Sequence, residues 1–438
     1  MTLNGDEAKD ELRKAFSHVL ERVRPVRAME RGVPLVSAAL ADRQRRGGTV
    51  RPARIVALGK AGLPMLDALL SSVGLPPVTG VVATPNPDDR QRPGIQVFHG
   101  GHPLPNRASL QAAGVALELV RDASEEDLVL YLVSGGGSAA LELPLRSEVS
   151  LEDLAGAYGI LGSCGARITE VNTVRKHLSA VKGGRLARVA APSRQITLYI
   201  SDVPRGRDSS VASGPTMPDE STIEDAYRMA ARHELLERLP ASIARTLRDR
   251  ALEETPKPGD VIFDRSEWHC LLSSEDAVEA AADYARTSGW SYVVSGSVED
   301  LSVEEAAASL LAQLAALRSQ AASAAAVCVI VAGELRSPVR GPGAGGRSQS
   351  FVLECVSRIA GRRIAVLSAG TDGIDGNSTA AGAVADGGSL SRGRAAGLDA
   401  ARHLADSDSN AYFRALGDDV VTGPTGTNVR DLMILLEW

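Results

Sequence analysis

Val129-Leu130-Tyr131-Leu132-Val133-Ser134-Gly135-Gly136-Gly137-Ser138-Ala139-Ala140-Leu141 is the stretch that decides how the chain folds. An apolar run, β-branched or aromatic at several positions, breaks off into three successive glycines with a serine on each side. The run is too short to span a bilayer and reads as a buried parallel strand. Glycines placed just after such a strand lack Cβ atoms, so backbone N–H groups can turn toward a ligand and approach it closely. The two serine hydroxyls add donors suited to phosphate or carboxylate oxygens. A plain tight turn between strand and helix is the competing explanation. What favours a ligand loop is that other strand ends in the chain carry similar chemistry.

On the amino side, Arg54 to Leu58 reads as a strand, and Gly59-Lys60-Ala61-Gly62 opens a helix through Leu70. Gly80 to Thr84 is a further strand. Gly100-Gly101-His102-Pro103-Leu104-Pro105-Asn106 then leads into a helix over Ala108 to Val120. Before these, Glu7 to Val23 places Ala8, Leu12, Ala15, Phe16, Val19, Leu20 and Val23 on one helical face, followed by a basic, glycine-containing segment from Arg43 to Arg51. On the carboxyl side, Ala166 to Leu186 reads as a helix, a glycine break and a second helical start. Gln195 to Ile200 is a strand that ends in Ser201-Asp202. Strands alternating with helices predict an α/β fold with a Rossmann-like parallel sheet covered on both faces. In such sheets ligands gather beyond the carboxyl ends of the strands.

Glu253-Glu254-Thr255-Pro256-Lys257-Pro258-Gly259-Asp260, Pro-rich and without periodicity, is the expected linker between a first domain over 1–252 and a smaller α/β domain over 261–438. In the second domain the expected elements are strands at His269 to Leu272, Tyr292 to Val294, Ala326 to Ala332, Arg363 to Leu367 and Leu432 to Leu436. Helices are expected over Ala277 to Arg286, Val303 to Ala322 and from near Phe351, with the final residues able to pack back on the first domain.

With 438 residues the chain has room for such a pair of cores. Charged residues make up 23% and the net charge is −6, which argues against a general nucleic-acid surface. Cys164, Cys270, Cys328 and Cys355 lie far apart, excluding a C-x-x-C motif and giving no disulfide framework. The charged stretch Met1 to Arg27 has no signal-peptide core, no run is long enough to cross a membrane, and a cytoplasmic protein is the expectation.

Gly341-x-Gly343-x-x-Gly346 matches the dinucleotide fingerprint by letter but lacks an acid at ribose-binding distance. The same loop mimics phosphate-loop spacing with Arg347 where lysine should stand. An arginine at a helix start after a glycine loop can clamp carboxylate or phosphate oxygens bidentately. Lys60 stands between strand and helix. Asn172, Arg175, Lys176, Lys182 and Arg185 cluster around Gly183-Gly184, either as counter-charges to polyphosphate or as a solvated basic face. Asp202 ends a strand, a favoured place for a general base or metal ligand. Asp372 and Asp375 bracket Gly373, where oxygen ligands would suit Mg²⁺ or simply form an Asp-Gly turn. No G-x-S-x-G or H-E-x-x-H is present, so phosphoryl transfer, which depends on positioning and charge neutralisation, suits the set best.

Taken together the motifs resemble the glycerate 2-kinases whose C-terminal part is the MOFRL domain. The carriers are Gly59-Lys60-Ala61, Gly101-His102-Pro103, Ser134 to Ala139, Val174 to Ser179, Lys182 to Ala187, Ser201-Asp202-Val203, Ala212 to Thr216, Gly345-Gly346-Arg347 with Gln349, Thr371 to Gly376 and Thr422 to Asn428. The resemblance implies two α/β domains with the active site in the cleft between them, and transfer of the ATP γ-phosphate to a glycerate hydroxyl with Mg²⁺. It implies that Lys60 and Arg347 match positions needed for activity. The expected roles follow. Ser134, Gly135, Gly136, Gly137 and Ser138, with Asn172, Lys176, Lys182, Gly183 and Gly184, hold nucleotide phosphates. Lys60 and Arg347 neutralise the transferring group, and Asp202 and Asp372 share the base and Mg²⁺ roles. A hydroxypyruvate reductase using NAD(P)H and a non-catalytic phosphate-ligand binder are the alternatives, and a homodimer is an open assembly. The chain departs from the family pattern at Arg205, Arg207, Ala344, Ser348, Ser350, Thr379 and Asn106, which adds positive charge near Asp202. A small anionic hydroxy acid other than D-glycerate is therefore an expected acceptor.

Overall fold

A computed structural model describes residues 3–45, 51–72, 77–299, 301–321 and 323–438. Residues 46–50 of the basic segment and Ala322 lie outside these. The chain divides into two compact units: residues 25–271, and residues 272–438 together with the N-terminal segment through Arg24.

The first unit is built on a six-stranded sheet of β1 (Ala53–Leu58), β2 (Val78–Thr84), β3 (Ile95–His99), β4 (Leu128–Val133), β5 (Arg194–Ile200) and β6 (Ser266–Leu272). Their order is β3-β2-β1-β4-β5-β6, and the pairs from β3 to β5 are parallel. Every residue of β4 is buried, as a strand covered on both faces requires. Val56, Leu58, Val81, Ala83, Val129, Tyr131 and Val133 face Ala112, Ala113 and Ala116 of the Arg107–Arg121 helix. On the other face Gly32 brings the Pro25–Arg45 helix so close to Leu198 and Leu271 that a Cβ would stand about 3 Å from each. A separate helical core around Leu154, Tyr158, Val174, Met229 and Ile243 joins the Leu151–Ser163, Ile168–Leu178, Ile223–Arg232 and Ala241–Arg248 helices.

The second unit holds β7 (Ser291–Val294), β8 (Val327–Ala332), β9 (Ile364–Gly370), β10 (Gly382–Asp386), β11 (Asp419–Val420) and β12 (Asp431–Glu437), ordered β11-β10-β9-β12-β8-β7. Only β7 and β8 pair in parallel; β12 runs antiparallel between β8 and β9. One face packs on the Val303–Gln320 and Arg347–Arg358 helices through Val327, Val329, Val366 and Met433. The N-terminal Gly5–Arg22 helix belongs to this unit, closed at its start by an Asn4–Glu7 capping box and tied by a buried Lys9–Asp418 ion pair of 2.9 Å.

Four expectations of domain organisation are corrected. The division falls after residue 271, and the first helix sides with the second unit, because its apolar face has the β9 and β10 side of that sheet to cover. Residues 253–260 are packed rather than a linker: Thr255 is buried against Asp219, and the Asp219 amide donates to Pro256. The stretch His269 to Leu272 lies in β6, at the edge of the first sheet, and the final strand β12 is central in the second sheet rather than returning to the first domain.

Candidate functional site

In the unit of residues 25–271 the strand order reverses between β1 and β4, which is where a doubly wound sheet opens a crevice at its carboxyl edge. Gly59 and Lys60 leave β1 there, and Ser134 to Ser138 leave β4. The Lys60 amide donates to the Gly135 carbonyl at 2.9 Å. Ser134 is fully buried; its hydroxyl donates to Leu58 O at 3.2 Å and accepts from the Ala61 amide at 2.9 Å. That hydroxyl stitches the two strand ends together instead of facing a ligand. Gly136 has φ +82°, and a Cβ on it would meet both Lys60 Cγ and His102 Cδ2 at 3.3 Å. The ends of β1, β3 and β4 therefore meet at Gly136, and His102 joins a site from which sequence reasoning had left it out. Among the described residues the amides of Gly135 and Gly136 donate to no backbone or side-chain acceptor. Those two N–H groups, with half-buried Lys60, form a cradle that a Cβ would fill.

Ser138 shares a hydrogen bond of 2.9 Å with Ser213, which draws in the turn over Asp208–Ser213. Ala212 and Ser213 have φ of 49° and 62°, conformations costly for residues with a side chain and held by the packing around them. Asp202 lies half-buried two residues past β5, and Arg205 and Arg207 are exposed on the loop that follows.

The expected phosphate cluster around Gly183-Gly184 is corrected. The Gly183 amide donates to Ser213 O at 3.1 Å and the Gly184 amide to Gly214 O at 2.7 Å, so neither serves a ligand. Lys182 is buried against Glu142, which also takes the Tyr158 hydroxyl and, at 2.6 Å, that of Ser179. Burial lowers the Lys182 pKa against the pull of Glu142. Lys176 is buried on Asp219 at 3.0 Å, and Arg185 is 1% exposed and donates to Glu253 O. Lys176 and Lys182 are internal counter-charges to Asp219 and Glu142, and Arg185 is held by a backbone carbonyl. Asn172 is half-buried on the Ile168–Leu178 helix.

In the other unit, Arg347 opens its helix and is gripped by two carboxylates. Nη1 donates to Glu334 at 3.0 Å, Nη2 is in ion-pair contact with the same carboxylate at 2.7 Å, and Nε donates to Asp431 at 2.5 Å. Although burial works against it, Asp431 and Glu334 raise the Arg347 pKa, while burial pushes that of Glu334 up. The helix start that could have met a phosphate is occupied by Asp375, which accepts from the Ser348 and Gln349 amides at 3.0 and 2.9 Å. Asp375 is thus a helix cap. Asp372 is half-buried, accepts from the Ile374 amide at 3.1 Å, and lies with Asp431 beside the Cα of Gly370. The loop over Thr422 to Asn428 closes on this turn: Thr425 donates its hydroxyl to Thr371 O at 2.6 Å and its amide to Asp372 O at 3.2 Å. Glu334 and Asp431 were missed, although each borders an apolar run as Asp202 does. The Gly341 to Gly346 fingerprint does not follow its strand directly, since β8 ends at Ala332. That departs from the strand–turn–helix geometry dinucleotide binding needs.

Residues 11–248 match a family model described as a domain of unknown function (DUF4147), and residues 327–431 match the MOFRL family. The chain is 36% identical to the D-glycerate 2-kinase of Thermotoga maritima over 87% of its own length and 89% of that protein. It is 34% identical to the glycerate 2-kinase of Pyrococcus horikoshii, covering 87% and 86% respectively. A protein of Agrobacterium vitis that bears a hydroxypyruvate reductase name is 35% identical over 100% of this chain and 96% of that one. The crystal structure of glycerate kinase from Thermotoga maritima superposes with a TM-score of 0.84 at 32% identity, covering 99% of this chain and 100% of that chain.

Proposed function

The chain belongs to the glycerate 2-kinase family and is a kinase; we propose that it transfers the ATP γ-phosphoryl group, with Mg²⁺, to a hydroxyl of D-glycerate or a related small anionic hydroxy acid. The observation that carries this reading is the cradle at the β1/β4 reversal. Two glycine amides without acceptors among the described residues stand beside Lys60, around a glycine whose replacement would press a Cβ on Lys60 and His102 at 3.3 Å.

In this proposal the Gly135 and Gly136 amides hold phosphate oxygens, with Gly137 starting the short helix behind them and Ser138 bordering the loop. Lys60 supplies positive charge and Arg347 directed donors to the transferring group, which has little covalent chemistry to be assisted. Asp202 takes the proton of the acceptor hydroxyl. Carboxylate oxygens are the ligands Mg²⁺ prefers, and half-buried Asp202 and Asp372 are the candidates to hold it, neutralising phosphate charge when bound. Asn172 is kept as a polar contact; Lys176, Lys182, Gly183 and Gly184 are withdrawn. Arg205 and Arg207, where the family more often carries acids, favour an acceptor with a carboxylate.

The test is ADP release across a panel of small hydroxy and sugar acids, with ATP and Mg²⁺. Acid-dependent ADP formation is expected, fastest with an acid other than D-glycerate. No ADP with any acid would reject the kinase reading for this chain, and D-glycerate performing as well as the best alternative would reject the shifted acceptor. Oxidation of NADH with an oxo acid would instead favour the reductase.

A further inference from the structure

Two of the five N–H donors of Arg347 are already committed inside its own unit. Glu334 accepts from Nη1 and ion-pairs with Nη2, and Asp431 accepts from Nε. The two acids come from adjacent strands: Glu334 stands two residues past β8, and Asp431 begins β12, which pairs with β8 in antiparallel register. A bidentate carboxylate fixes the plane of a guanidinium, and a second carboxylate on Nε fixes its rotation about the side chain. The neighbouring cation does not compete for either acid, because Arg430 is taken by Glu299 at 2.5 and 2.6 Å.

A role in fastening the helix does not account for this grip, since Asp375 already caps the helix through Ser348 and Gln349. Nor is the group buried out of reach: the Arg347 side chain is 36% exposed whereas that of Asp431 is 9%. The result is a guanidinium held at two points with N–H groups left on both terminal nitrogens. Two carboxylates on one guanidinium also cancel its charge, so it adds little to long-range attraction of ATP. What it retains is directed hydrogen bonding, which matters most where charge shifts during transfer.

We propose that Glu334 and Asp431 are positioning residues for phosphoryl transfer, aiming the uncommitted terminal N–H groups of Arg347 at the transferred phosphoryl group. This rests on the kinase reading above. The test uses the full chain and ADP release at saturating acceptor. E334Q and D431N should each lower kcat at least tenfold, leave KM for ATP within about threefold, and unfold near the wild-type temperature. In R347A, turnover should fall a hundredfold or more and be restored several-fold by millimolar guanidinium ion. That rescue should vanish in R347A/E334Q and R347A/D431N, which lack a carboxylate to dock the ion. A kcat within twofold of wild type in both single variants overturns the proposal. So does a rescue that is absent from R347A, or equal with and without the carboxylates, and this second measurement stands if a single variant fails to fold. A wild-type chain that releases no ADP refutes the kinase reading itself, a result distinct from either.

Discussion

Asp375→Asn probes the cap beneath Arg347 and has a sign that can be worked out in advance. The Asp375 carboxylate is buried, and burial together with nearby Asp431 pushes its pKa up to about 6 from the ordinary 3.8, against the hydrogen bonds from Gln349 and Ser348 that favour its charged form. A folded-state pKa above the unfolded one means that the folded chain binds this proton more tightly. The resulting stabilisation is complete below pH 3.8 and is lost as pH rises through about 6. The gap between about 6 and 3.8 corresponds to roughly 3 kcal/mol in all, about half of it lost between pH 5 and pH 8. Asparagine keeps an acceptor for one helix amide and does not titrate. The stability difference between D375N and wild type should therefore move in favour of D375N by about 1.5 kcal/mol over that interval. For a unit of this size that is roughly 3–6 °C in unfolding midpoint. Thermal unfolding of both proteins at half-unit pH steps measures it, with the titrating groups that do not interact with Asp375 cancelling in the difference. A pH-independent gap, or one that shifts against D375N as pH rises, would show that the charged carboxylate is the form the helix start prefers and that the reasoning is wrong.

Lys60→Ala should leave the fold intact by circular dichroism while lowering kcat a hundredfold or more, a barrier increase of about 3 kcal/mol; full turnover in a folded variant contradicts its role. Gly136→Ala places a methyl 3.3 Å from both Lys60 and His102 at a φ of +82°, and should raise KM for ATP or lower kcat at least tenfold; unchanged kinetics would dissociate this glycine from the cradle. Lys182→Met strands the buried Glu142 carboxylate and should cost about 3–5 kcal/mol, seen as a lowered unfolding midpoint that K182M/E142L largely recovers. A K182M protein of wild-type stability would mean that the ion pair is not the internal brace described here.

Much of the fold was legible because apolar runs leave few alternatives. Val129 to Val133, Gln195 to Ile200 and Ala326 to Ala332 all appear as strands within a residue or two, and the glycines after β4 mark a real strand-end loop. The Gly-Lys pair after β1 and the triple glycine after β4 could be read as one site, since parallel α/β topology brings successive strand ends to the same edge. The domain division was not legible. Composition makes 253–260 resemble a linker, but Thr255, Pro256 and Lys257 are drawn in by Asp219 and Ser221, more than thirty residues earlier. Nor does local pattern reveal that β12, the last strand in sequence, inserts between β8 and β9, because an antiparallel insertion is decided by the whole sheet.

The site assignments diverged for a single physical reason: a sequence displays charges without their partners. Lys182 and Glu142 are 40 residues apart, Lys176 and Asp219 43, and Arg347 and Asp431 84. Lys176, Lys182 and Arg347, which seemed available for phosphate, are each answered by a carboxylate that only the fold supplies, and burying either partner alone would cost more than the pair. The acids that look dispersed in a chain of net charge −6 are therefore used, at these positions, as internal counter-ions. In the proposed reading, anion recognition falls on groups that need no counter-ion, and backbone amides are such groups. The Gly135 and Gly136 N–H groups keep their donor capacity because glycine lets the backbone turn outward without burying a charge. Arg347 fits the same logic: neutralised by Glu334 and Asp431, it is suited to direction rather than attraction, which is why the KM and kcat effects of its two carboxylate partners should separate.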